Sequence, residues 1–194
     1  YNNNFIPSYG INIISNLLKL TKKYGNLSKY YENTQTKNKE LISSTLSDTY
    51  TFPLINNSFG KINILYSSKC YKNHNNIPKL VFPNFSMGYP LLDKYGVLEP
   101  AANMMFVVNN KNIDNLRKIQ ILFYTNIVFF IINSLKTKQK FMSNRIFDIL
   151  PDITEISSLP PIINDNTLYK LFNFNKKKSI FEILKCFRYI NHHA

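Results

Sequence analysis

The sequence predicts an α+β fold: a small mixed β-sheet packed by a long buried helix, with further helices towards the N- and C-terminal ends. Three observations predict it. Residues 10–24 and 113–136 repeat apolar side chains at helical spacing. Between them, short β-branched and aromatic runs are separated by Asn, Ser, Gly and Pro clusters. The two patterns occupy separate stretches of chain instead of alternating, which favours helices segregated from the sheet.

In the first helix Ile13, Ile14, Leu17, Leu18 and Thr21 share a face, and Lys22-Lys23-Tyr24-Gly25 supplies cations and then a glycine, as a helix end prefers. Asn26 to Asn38 has almost no apolar periodicity and reads as a linker or a weak strand. Extended segments follow at Tyr50 to Ile55, Lys61 to Ser67, Lys79 to Phe82 and Met104 to Val108, with Pro53 and Pro83 where a strand ends or lies at an edge. Residues 113–136 form the longest helical pattern, with Asn112 or Asp114 as its cap. Past Pro151, Pro160 and Pro161 come two short helices. Asn166 to Phe172 has Asp165 as cap candidate, and Ser179 to Tyr189 has Ser179 and Glu182 at capping-box spacing. The expected division is an N-terminal helix and linker at 1–40, an α+β domain at 41–153 and a helical extension at 154–194.

The most apolar run, Ile119 to Leu135, is interrupted by Gln120, Asn126 and Asn133 and bounded by Lys118 and Lys136. It falls short of the roughly 20 apolar residues a span requires, so it reads as a buried helix and no membrane is expected as a partner.

Composition narrows the partners. With 44% hydrophobic residues in 194, an ordinary core is within reach. A formal charge of +13 suits a polyanion such as nucleic acid. Asn, Lys, Ile, Tyr and Phe dominate while Gly, Ala and Trp are scarce, a bias towards AT-rich codons that also supplies lysine as a default surface residue. Cys70 and Cys186 lack CxxC spacing, and His74, His192 and His193 add no zinc pattern, so free thiols in a reducing compartment are expected. The opening Tyr1-Asn2-Asn3-Asn4, with neither an initiating Met nor a signal pattern, reads as a piece of something longer.

Catalytic signatures are missing. The five glycines never cluster, which leaves no phosphate loop or dinucleotide fingerprint. Asp148 and Asp152 are four apart with Pro151 between them and no Lys at nuclease-like spacing. Capping or turn chemistry is the simpler reading, and a metal-dependent phosphodiesterase the alternative. What the chain does carry is cations interleaved with aromatic and amide side chains. These are Lys69-Cys70-Tyr71-Lys72-Asn73; Lys79 with Asn84, Phe85 and Ser86; Lys94-Tyr95; and Lys136, Lys138 and Lys140 leading to Ser143-Asn144-Arg145. Lysines neutralise phosphates, whereas Arg and Asn match guanine and adenine edges. The bland alternatives are a solvated helix end and ordinary turns. Of the three arginines, Arg117 and Arg188 fall in expected helices as surface ion-pair partners. Arg145 is either a base or phosphate contact or a fork holding loop carbonyls.

Read in order, Phe5-Ile6-Pro7-Ser8, Thr51-Phe52-Pro53-Leu54-Ile55, Ile64-Leu65-Tyr66-Ser67, Pro78-Lys79-Leu80-Val81-Phe82, Asp93-Lys94-Tyr95-Gly96-Val97 and Arg145-Ile146-Phe147 form a series of short degenerate motifs spanning most of residues 5–153. The series resembles the C-terminal target-recognition part of DNA adenine-N6 methyltransferases of the large-DNA-virus and restriction-modification type. There a "pKvif"-like strand leads to a polar turn, a "D-x-x-G-K-Y-G" element, a strand, a long helix and an "S-N-x-R" segment. This chain departs from the pattern: Asp93 stands where the turn glycine precedes Lys94, and Phe141 is displaced from the Ser-Asn pair by Met142. It also lacks the glycine-rich cofactor segment and the Asn/Asp-Pro-Pro-Tyr/Phe motif, since Pro160-Pro161 lies between Leu159 and Ile162.

The resemblance implies a DNA-reading fragment, a split subunit or a decayed relative, with S-adenosylmethionine bound on a missing or partner catalytic domain. Double-stranded DNA is the expected partner, and Lys72, Lys79, Asn84, Ser86, Lys94, Tyr95, Lys138, Lys140, Ser143, Asn144 and Arg145 are the expected contacts. The expected location is cytoplasmic, the host cytoplasm or a viral factory if viral. The rival readings are a structural or interaction subunit of a viral or organellar assembly, and a nuclease using Asp148 or Asp152. The isolated chain is expected neither to bind S-adenosylmethionine nor to methylate DNA; micromolar cofactor binding in calorimetry would refute this.

Overall fold

The structure, a computed structural model, describes residues 11–34, 37–57, 62–83, 89–101, 105–135, 143–160 and 162–173. In chain order the elements are α1 (Ile11–Tyr24), β1 (Tyr31–Asn33), β2 (Ile42–Ser43), β3 (Phe52–Asn57), β4 (Asn63–Ser67), β5 (Lys79–Pro83), β6 (Leu91–Asp93), β7 (Glu99–Pro100), β8 (Met105–Asn109), α2 (Ile113–Leu122), α3 (Asn126–Ser134), α4 (Ile146–Ile149) and α5 (Asp165–Leu171). The class is α+β, as expected. The chain forms two compact units, Ser28–Gln120 and the flanking segments up to Leu27 and from Ile121. This division differs from the one read off the sequence. Composition marks where a pattern changes, whereas units are defined by which segments return to one another.

The Ser28–Gln120 unit holds two four-stranded sheets where one small sheet was expected. One is antiparallel in the order β1-β8-β5-β6, with Lys79 of β5 directly opposite both Asp93 of β6 and Asn109 of β8. The other, β2-β4-β3-β7, is mixed, because β7 runs parallel to β3 at Leu54↔Glu99 and Ile55↔Pro100. The polar stretch after α1 thus contains a weak strand, β1. Pro53 precedes the point where β7 joins β3, and Pro83 ends β5, both positions a residue without an N–H tolerates. Ile55 and Val81 are buried together, with Ile64, Leu91 and Leu98 packed against them. Leu116 and Ile119 of α2 are buried, and Gln120 Nε2 donates to Pro90 O at 2.9 Å. Asn112 caps α2, its Oδ1 accepting from Asp114 N and Asn115 N at 2.9 and 3.2 Å.

In the other unit α1 buries Ile13, Ile14 and Leu17 but leaves Leu18 42% exposed. Gly25, at φ +79°, ends the helix, donating to Thr21 O at 2.9 Å while its carbonyl accepts from Asp152 N at 3.0 Å. Asp152 is buried and caps the short turn after it, its Oδ1 accepting from Thr154 N and Oγ1 at 3.0 and 2.6 Å. Asp148 is exposed on α4.

The single helix expected over 113–136 is two helices, broken at Phe123–Thr125. Two helices thus stand where one long helix was expected, and the part of α2 up to Gln120 belongs to the unit that holds the sheets. Thr125 Oγ1 donates to Leu122 O at 2.7 Å, and Thr125 makes no side-chain cap bond to α3. Asp165 fills that role, accepting from Asn126 N and Nδ2 at 2.8 Å each. Its own helix is capped instead by Asn164, in a reciprocal box with Thr167. Burial raises the Asp165 carboxyl above the usual carboxylate range against the pull of the Asn126 and Ile127 amides. Burial, with Asp165 nearby, pushes Tyr169 up to about 12. The two polar residues at the end of α3 bond back to its own backbone, Asn133 Nδ2 donating to Phe129 O and Ser134 Oγ to Phe130 O. No single helix among the described residues is long and apolar enough to cross a membrane. The helix expected at Ser179 to Tyr189 lies outside the described residues.

Ile127 and Phe130 are fully buried, so replacing either with Ala should cost about 2–5 kcal/mol in denaturant melts. Asp165→Ala should cost about 0.5–2 kcal/mol as a lost cap, and Asp165→Asn less, since one acceptor remains.

Candidate functional site

Two neighbouring loops of the sheet unit, residues 68–78 and 94–98, carry the cationic and aromatic side chains that stand out in the sequence. Beneath them lies a cluster of four buried charges. Lys79 opens a strand whose next three residues, Leu80, Val81 and Phe82, are all buried, so the strand is covered on both faces and the lysine goes in with it. Its Nζ donates to Asn73 O and, at 3.3 Å, to Leu98 O, and lies 3.6 Å from Asp93 Oδ2. Asp93 in turn accepts three backbone amides, Tyr95 N and Gly96 N on Oδ1 at 3.3 and 3.0 Å and Leu98 N on Oδ2 at 2.7 Å. Glu99, 1% exposed, pairs through Oε1 with Lys37 Nζ at 2.6 Å and accepts Asn73 N on Oε2 at 2.8 Å. Burial pushes the Lys79 ammonium below the usual lysine value, opposed by Asp93 and Glu99.

Each group has a reason to sit there. Lys79 and Asp93 are cross-strand partners, so their side chains share a sheet face. Gly96 is at φ +67°, where a Cβ would run into the backbone of Ile77; its carbonyl accepts Asn76 N at 3.2 Å. That glycine lets the two loops touch. His74 closes the first loop, Nδ1 accepting Tyr71 N at 2.9 Å and Nε2 donating to Pro53 O at 2.9 Å. The Lys37 ammonium also lies over the Tyr71 ring, 4.5 Å from its centroid.

Two positive and two negative charges balance, and the two carboxylates are occupied by amides and ammonium groups. Such a cluster is built to hold loops, with no reactive group open to a substrate. Among the described residues no group of three or more His, Cys, Asp or Glu is placed to hold a metal ion.

The expected contact residues divide accordingly. Lys79 is 0% exposed and cannot meet a phosphate; that expectation is corrected, because the apolar run after it demands a strand covered on both sides. Lys72 is exposed but paired with Glu32 at 2.7 Å. Lys94 and Tyr95 are exposed at the tip of the Asp93-anchored loop, Tyr95 at 77%. Ser143, Asn144 and Arg145 belong to the other unit and lead into α4, with Arg145 exposed and Ser143 Oγ accepting Arg145 N at 3.3 Å. Arg117 pairs with Asp114 at 3.3 Å, as a surface arginine on a helix does. Asn84, Ser86, Lys138 and Lys140 lie outside the described residues, as do Cys186, Arg188, His192 and His193. Cys70 is a free, exposed thiol.

Sequence reasoning missed Lys37, His74, Asp93 and Glu99 as supports. Asp93 had a signal, an Asp followed three residues later by Gly in a polar turn. Lys37 and Glu99 are 62 positions apart (99 − 37) and carried none. Searches against family models, curated proteins and solved structures find no match.

Lys79→Ala should destabilise by about 3–5 kcal/mol, because it strands Asp93 in a buried site, whereas Lys72→Ala, breaking an exposed pair, should stay within about 1 kcal/mol. Urea denaturation of both variants checks the contrast.

Proposed function

We propose that the chain is a DNA-binding target-recognition module associated with adenine-N6 methylation, with the catalytic and S-adenosylmethionine-binding parts on a missing or partner domain. The observation that carries this reading is the Asp93–Leu98 loop. Its Lys94-Tyr95 tip is exposed, yet its base is tied by three amides to a buried carboxylate that is itself beside a buried ammonium. A loop held in one shape before binding gives up less entropy on contact, so its side chains are useful for recognition. The loop also coincides with Asp93-Lys94-Tyr95-Gly96-Val97, one of the short motifs in the series that carries the family resemblance, although Asp93 stands where that family has its turn glycine.

In this reading Lys94 neutralises a phosphate and the Tyr95 ring packs on a sugar or a base face. Lys72 joins Lys94, since its pair with Glu32 is exposed and easily exchanged for a phosphate. Arg145, on the other unit, offers a planar fork suited to a guanine edge. Lys79 supports the reader from below without touching DNA.

Fluorescence anisotropy on a randomised duplex panel at two salt concentrations tests the assignment. Lys94→Ala should weaken all duplexes alike and reduce the salt slope by about one unit. Arg145→Lys should lose about 1–3 kcal/mol on the preferred duplex and much less on random sequence. Equal binding of wild type and both variants to every duplex would sink the proposal and leave a non-enzymatic interaction subunit as the better reading.

A further inference from the structure

His74 stands in a position that admits only one protonation state. Its Nδ1 faces the Tyr71 amide at 2.9 Å and must therefore be an unprotonated acceptor; its Nε2 faces the Pro53 carbonyl at 2.9 Å and must carry the hydrogen. A second proton would have to sit on Nδ1, against an N–H that already points there. The ring is half-buried and tilted against the Phe52 and Tyr71 rings, with centroids at 5.5 and 6.3 Å. The charged groups that act on it are Glu99, which favours a proton, and Lys79 and Lys37, which oppose one. The buried cluster below is already balanced at two positive and two negative charges, so an imidazolium would be the odd charge in it.

We propose that His74 is a proton-operated latch on the 71–74 turn, closed when the ring is neutral and released when it is protonated. The consequence reaches beyond the turn. Asn73, next to His74, donates its N–H to Glu99 and gives its carbonyl to Lys79, while Asn76 N bonds Gly96 O in the neighbouring loop. Opening the turn removes a partner from each buried pair and a contact from the Lys94-Tyr95 loop. The geometry agrees with the direction of the pKa: burial holds His74 below its ordinary value. The unfolded imidazole takes up a proton near pH 6.5 while the closed one does not. The latch is therefore fully effective above about pH 6.5 and weakens as pH falls towards the folded-state pKa.

The test is residue-resolved amide exchange from pH 7.5 to 5, corrected for intrinsic rates, together with the ring nitrogen shifts of His74. In the wild type the ring should be the Nε2–H tautomer. The opening constant at Tyr71 and Asn73 should rise as pH falls below about 6.5, with a limiting slope of about tenfold per pH unit for one proton per opening, and level off once the closed ring also takes up its proton. His74→Asn keeps an acceptor for Tyr71 N but does not titrate in this range, so its opening constant should be flat. A pH dependence arising anywhere other than His74 would appear in both proteins. A flat wild-type profile, an equal slope in H74N, or an Nδ1–H tautomer overturns the proposal. Should H74N fail to fold, the wild-type slope and tautomer decide it by the same criteria. None of these readouts involves DNA, so the latch and the DNA-reading proposal stand or fall separately.

Discussion

Taking an ammonium and a carboxylate out of water is costly, and the sheet unit does it twice, with Lys79 beside Asp93 and Lys37 beside Glu99. Such pairs survive only where hydrogen bonds satisfy what the pair leaves over, and here those bonds come from loop backbone: the Asn73 carbonyl and amide, and the amides of Tyr95, Gly96 and Leu98. The dependence therefore runs in both directions. The loops neutralise the polarity of the buried groups, and the buried groups dictate the course of the loops. The network also crosses the two sheets, since Lys79 and Asp93 lie on one and Glu99 on the other. The apolar contact of Ile55 and Val81 holds the same two sheets together by burial alone.

That arrangement separates two roles which a charge count merges. A lysine in the interior contributes as much to the formal +13 as one at a loop tip, yet only the second is available to a partner. Lys37 and Lys79 are committed to the interior, Lys72 is shared with Glu32, and Lys94 stands clear beside Tyr95. What the unit offers a partner is consequently a few side chains held on rigid supports, and much less its overall basicity.

The helical unit uses a related device with one carboxylate. Asp165 starts α5 but serves α3, whose first amides would otherwise lack a side-chain acceptor because the Thr125 hydroxyl is turned back onto Leu122. One residue thereby ties the beginnings of two helices, and Asn164 takes over the capping of α5 itself.

The α+β class, α1 with its glycine stop, the four longer strands, the Asn112 cap and the helical character around residues 113–134 were legible in the sequence, because each depends on periodicity or on a residue's local backbone preference. The exposed Lys94-Tyr95 turn was legible for the same reason: a polar run with glycine makes a surface loop. The break at Phe123–Thr125, the division of the strands between two sheets and the burial of Lys79 were not. Each depends on a partner distant in the chain: Asp165 for α3, Glu99-Pro100 for β3, Asp93 and Asn73 for Lys79. Local preference records what a residue can do in any surroundings. Whether a lysine faces solvent or a carboxylate is settled only when distant strands close over it, since the free energy of burying a charge depends on the partners that folding brings to it.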